Sequence, residues 1–108
     1  MMTASSFFFA VNRKLWFTST SENGANKIRV FREGTGNFFA PQKVFVYAND
    51  KLLFCDEIRN DGKNLRDKNY SIVWSDQTAV LIFSGEEQSD AIYSIVFEGN
   101  EITYSKEI

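Results

Sequence analysis

Tyr70-Ser71-Ile72-Val73-Trp74, then a short polar turn at Ser75-Asp76-Gln77-Thr78, then Ala79-Val80-Leu81-Ile82-Phe83: this stretch decides the fold. Both apolar runs are too short for helices and are rich in β-branched and aromatic residues, which fit a pleated, half-buried surface. The turn between them makes the pair a hairpin. Downstream, Ala91 to Glu98 and Glu101 to Tyr104 flank Gly99-Asn100, the strongest hairpin signal in the chain. Residues 86–96 also carry a helical pattern, with Ala91, Ile92, Ile95 and Val96 on one face. The run Ile92-Tyr93-Ser94-Ile95-Val96-Phe97 favours strand instead.

Upstream, the same spacing of runs and turns repeats. Lys14 to Ser19 reads as a strand, Asn23-Gly24 as a turn, and Lys27 to Arg32 as the next strand, closed by Gly34-Thr35-Gly36-Asn37. Beyond Pro41, Lys43 to Ala48 turns at Asn49-Asp50 into Leu52 to Ile58. A long polar connection then runs from Arg59 to Asn69. These elements predict an all-β antiparallel sandwich or barrel of about seven to eight strands joined by meander-like hairpins. The 108 residues suit a single all-β domain spanning 1–108. Residues 1–13 read as an extra strand or as a trimmed leader, since Phe7-Phe8-Phe9-Ala10-Val11 has no basic residue before it and is short for a signal peptide.

Several strands are apolar on both sides. Val44 and Val46 oppose Phe45 and Tyr47, and Ile92 and Val96 oppose Tyr93, Ile95 and Phe97. Either a helix or loop covers the second faces, or aromatic surface is left for a partner. The residues marked for binding on this reading are Phe31, Phe45, Tyr47, Tyr93 and Phe97. Charge is uneven too: residues 1–68 carry a balance of +4 and residues 69–108 a balance of −6, giving the net −2. The molecule is dipolar if the halves occupy different parts of the fold; if they interleave, the charges cross-pair.

The chain has no histidine, which removes Ser-His-Asp and Cys-His nucleophile systems and imidazole metal sites. Its single cysteine, Cys55, forms no internal disulfide and reads as a buried, inert thiol in Leu52-Leu53-Phe54-Cys55. One free thiol fits the cytosol and does not exclude a bacterial envelope, where many domains lack disulfides. A calcium loop around Asp61-Gly62 fails because Arg59 and Lys68 would occupy ligand positions. Gly34-Thr35-Gly36 lacks the rest of a phosphate-binding fingerprint. Adjacent carboxylates such as Asp56/Glu57 point to opposite sides of a strand and form no general acid–base pair. The basic loop at Arg59, Lys63, Arg66 and Lys68 is diluted by Asp61 and Asp67, so nucleic acid is not the expected partner. No apolar stretch reaches transmembrane length. The expectation is a non-catalytic protein-binding domain without cofactor or metal; the alternative is a small acidic inhibitor or immunity protein that masks a basic partner.

Ser21-Glu22-Asn23-Gly24 leading into Ile28 to Arg32, then Val44 to Tyr47, then Tyr70 to Asp76 leading into Val80-Leu81-Ile82, form a layout over roughly residues 17–98. It resembles small β-rich bacterial envelope proteins and lipoproteins of uncharacterised function. The resemblance implies an envelope-associated accessory role. The chain departs from that pattern in having no lipobox cysteine. Trp74-Ser75-Asp76 also looks like one corner of a TolB-type propeller blade, but 108 residues are too few to close a propeller.

Overall fold

Turn residues set the strand boundaries in a computed structural model of the chain, which describes residues 13–33, 42–61 and 63–108. Strand β1 (Arg13–Thr20) passes through a turn with Gly24 at φ 76° into β2 (Lys27–Glu33). Strand β3 (Gln42–Ala48) turns into β4 (Lys51–Ile58) at Asn49 and Asp50, whose positive φ values of 46° and 68° are those of a tight hairpin. After a 3₁₀ turn at Asp67–Asn69 come β5 (Tyr70–Ser75), β6 (Thr78–Phe83), β7 (Ala91–Glu98) and β8 (Glu101–Lys106). Residues 86–90 form a turn at Glu86 and Glu87 and an irregular stretch after it rather than helix, and β7 takes the β-branched run. The expected strands are present, as are the turns at 23–24, 49–50, 75–78 and 99–100. Within the expected extra strand or leader at 1–13, only Arg13 is described, and it opens β1.

All pairings are antiparallel and sequential, giving one sheet of order β1-β2-β3-β4 and another of order β5-β6-β7-β8. The sheets face each other as a sandwich, and among the described residues no closed barrel forms. Phe17, Ile28, Val30, Val44, Val46, Phe54 and Ile58 from the first sheet meet Leu81, Phe83, Tyr93, Ile95 and Phe97 from the second in one core. The Phe17 ring stacks on Tyr70 at 3.6 Å, and the Trp74 indole N–H donates to the Ser19 hydroxyl, so β1 lies over β5. Phe54 stacks on Tyr104 at 4.6 Å, so β4 lies over β8.

Because both sheets run in the same sense, the chain leaving β4 must cross the end of the sandwich to begin β5. That crossing is the polar segment 59–69, and its own hydrogen bonds hold it. Buried Asn69 donates to the Asn60 side-chain oxygen and to the Ser84 carbonyl, and accepts from the Arg66 N–H. The Asn60 oxygen also accepts from the Glu86 N–H. Leu65 drops from this segment into the end of the core, fixed by its N–H donating to Gln42 and its carbonyl accepting from Arg32.

Two irregularities shift the side-chain alternation. The β1–β2 register slips between Leu15 and Phe17, and the β3–β4 register slips where Val46 faces Phe54 but Tyr47 faces Leu52. Trp16 and Leu53 are the extra residues, and both pack against the core edge.

Candidate functional site

Alternation on β2 and β3 places Ile28, Val30, Val44 and Val46 in the core and turns Arg29, Phe31, Phe45 and Tyr47 to the outer face of the first sheet. The register then aligns residues across all four strands. Leu15, Phe31, Phe45 and Cys55 form one row, and Thr18, Arg29, Tyr47 and Leu52 form the next. An apolar and aromatic band therefore crosses the sheet, with Leu15 and Leu52 about half exposed at its two ends.

Arginines dress this band. The Arg13 guanidinium lies 3.8 Å from the Phe45 ring centroid and donates to the Tyr47 hydroxyl at 3.1 Å. A cation over an aromatic face is attracted by the ring quadrupole, and here it also covers the ring from water. Phe45 is consequently buried although it points outward. Phe31 meets Tyr47 edge to face at 5.4 Å. Arg29 pairs with Asp50 at 3.3 Å with both side chains substantially exposed, which makes the pair weak and displaceable. Arg13, Arg29, Phe31, Tyr47 and Asp50 enclose a shallow depression of about 340 Å³. It offers flat apolar contact beside guanidinium groups, a combination that suits protein surfaces carrying apolar and acidic side chains.

Three of the five residues expected to bind, Phe31, Phe45 and Tyr47, thus stand together. Tyr93 and Phe97 stand elsewhere: β7 points Ala91, Tyr93, Ile95 and Phe97 into the core and Ile92, Ser94 and Val96 outward. Tyr93 stacks on Phe54 at 4.2 Å and donates to the Asp56 carboxylate, and Phe97 packs beside Trp74. Burial and the Asp56 bond both favour the neutral phenol, raising its pKa well above the ordinary tyrosine range. Cys55 also departs from expectation. It is exposed on the outer face opposite Phe45, because Phe54 takes the inward position in that run.

Sequence reasoning did not mark Arg13, Leu15 or Leu52 for this face. Arg29 was legible, since it alternates with Ile28 and Val30 just as Phe31 does. The bulges at Trp16 and Leu53 obscure the parity of Leu15 and Leu52.

A wider concavity of about 700 Å³ opens between the β1–β2 and β5–β6 turns, where Glu22, Asp76 and Glu98 contribute carboxylates. Among the described residues no cluster of three or more side chains is arranged to hold a metal ion. The charge imbalance becomes spatial, because the chain divides near residue 69 into one sheet and then the other. The first sheet and the crossing segment hold the +4 balance, and the second sheet with its connections holds the −6, mostly in the turns, where Glu86 pairs with Lys63 of the crossing segment. Among the described residues no helix is long and apolar enough to cross a membrane. Comparison with protein-family models, with curated proteins and with solved structures finds no match.

Proposed function

We propose that this chain is a non-catalytic protein-binding domain whose contact surface is the outer face of the first sheet, and that it serves an envelope-associated role in a bacterial cell. The observation that carries the reading is the register that lines up Leu15, Phe31 and Phe45 beside Tyr47 and Leu52, with Arg13 and Arg29 among them. Aromatic and arginine side chains dominate binding energy when a partner buries them together. The lack of histidine throughout the chain supports a non-enzymatic role.

The test is capture of a stoichiometric protein partner from the source organism by wild type and by a Phe31→Ser/Tyr47→Ser double variant, with far-UV circular dichroism confirming both folds. The double variant loses capture by about tenfold or more. A Val80→Ser control on the opposite face of the molecule retains it. Equal capture by the folded double variant removes the assignment of this face. Fractionating the cells tests the envelope association, and recovery of the protein in the cytosolic fraction overturns it.

The separation of charge between the two halves of the chain favours a second reading, an acidic inhibitor that masks a basic partner through its −6 half. Its complex tightens as ionic strength falls and weakens steeply with salt. A complex indifferent to salt excludes it.

A further inference from the structure

A sandwich has four edge strands, and each presents a row of backbone N–H and C=O groups that another strand can pair with. Three of these edges carry a guard. Strand β1 has a bulge at Trp16 and the cations Arg13 and Lys14; β4 has a bulge at Leu53 together with Lys51, Asp56 and Glu57; β8 is bracketed by Glu101 and Lys106.

Strand β5, Tyr70-Ser71-Ile72-Val73-Trp74-Ser75, has none: no charge, no proline and no bulge. Its register with β6 is unbroken from Tyr70 opposite Phe83 to Ser75 opposite Thr78. Its other edge pairs with no strand among the described residues. Burial along β5 is incomplete as well. Tyr70, Ile72 and Trp74 point at the core yet stay only half-buried, and Val73 on the outer side is 62% exposed. A strand laid alongside would finish that burial.

We infer that β5 pairs antiparallel with β5 of a second copy of this chain, joining two four-stranded sheets into one across a twofold axis at Ile72. The strand is self-complementary in this register. Ile72 faces its own copy, Tyr70 faces Trp74 of the second copy, and Ser71 faces Val73. Every residue thereby meets one from the same side of the sheet, as antiparallel pairing requires. Aromatic pairs directly opposite one another are among the favourable cross-strand contacts. Charge also favours a second copy here, because the pairing brings no ionic group beside its own kind, whereas β1 and β4 would bring their charged groups into the seam. The interface is isologous and closes at two subunits. Five paired residues a side, Tyr70 to Trp74, fall short of the roughly 1,200 Å² that marks stable complexes, so the dimer is weak and populated only in the upper micromolar range. It leaves the outer face of the first sheet free, so it stands or falls independently of the proposed partner surface.

Sedimentation velocity across micromolar to millimolar concentrations tests the proposal on wild type and on Val73→Lys, whose new cation points to solvent in the monomer. Ser71→Lys serves as a second variant should the first fold poorly by circular dichroism. Wild type shifts from monomer to dimer with concentration, and the lysine variants stay monomeric. In a Cys55→Ser background, Ser71→Cys/Val73→Cys forms an intermolecular disulfide under mild oxidation. A wild type that stays monomeric at millimolar concentration overturns the inference. So does a lysine variant that dimerises as wild type does, or a dimer that does not cross-link through these positions.

Discussion

Single positions hold the end of this sandwich together. A Cβ on Gly85 would overlap the backbone carbonyl of Arg59, where the crossing segment runs against the chain leaving β6. Backbone cannot yield as a flexible side chain can, so Gly85→Ala costs about 1–3 kcal/mol in chemical denaturation. Tyr93 acts at the seam between β4 and β8, where Asp56 accepts a hydrogen bond from its hydroxyl and Lys106 lies 3.9 Å from the same carboxylate. Its pKa is raised on folding, first by burial and then by the hydrogen bond to Asp56. The sign follows from linkage: the stabilisation is complete below the unfolded value near 10 and is lost as pH rises above it. The melting temperature therefore holds steady from pH 8 towards 10 and falls beyond. Tyr93→Phe lowers stability by about 1.5–3 kcal/mol at neutral pH and flattens the alkaline fall.

Among the elements, the segment between β4 and β5 is the least regular, and a polar network holds it. Asn69→Ala leaves the Ser84 carbonyl and the Arg66 N–H without their partner and costs about 1–3 kcal/mol. Asn69→Asp keeps the acceptor for Arg66 but sets an anion against the Ser84 carbonyl and the Asn60 side-chain oxygen. It is the more destabilising of the two, as thermal melts of both variants will show. The strands themselves were legible in the sequence because the turn residues carry local chemistry. Asn49-Asp50 and Gly99-Asn100 tolerate the positive φ that tight hairpins need, wherever the rest of the chain goes. The facing of β7 was not legible. Tyr93 and Phe97 alternate with Ile92 and Val96, and two apolar rows give the pattern no way to choose between them. Nor was the parity of Cys55, since a bulge inserts one residue without changing composition. The candidate site was legible where polar and apolar positions alternate, as with Phe31 on β2, and lost where they do not.

For the whole molecule, the decisive property is a single core shared by two sheets that are each contiguous in the chain. Trp16 of the first sheet packs on Tyr70 and Phe83 of the second, and the Trp74 indole donates to Ser19 of the first, so both indoles report on the docking of the two sheets. In Trp74→Phe and in Trp16→Phe alike, the remaining indole follows that docking, whereas far-UV circular dichroism follows the strands themselves. Within each variant the urea transition seen by fluorescence coincides with that seen by far-UV circular dichroism, because neither sheet keeps its apolar face buried without the other. Separate transitions would show that the sheets fold alone. The Trp16 indole N–H is buried without an acceptor among the described residues, so Trp16→Phe carries little hydrogen-bond penalty and suits the comparison.

The division of the chain near residue 69 also orders events on the ribosome. The first four strands leave the exit tunnel as a complete sheet while the strands of the second sheet are still inside the tunnel or being made. During that interval the row of Ile28, Val30, Val44 and Val46 has no opposing layer, and the newborn chain shows water the surface that the finished protein hides completely. The protein is most in need of a chaperone after β4 has emerged and before β5 to β8 follow, and slowing translation in that interval lengthens the time in which neighbouring nascent chains can adhere to one another.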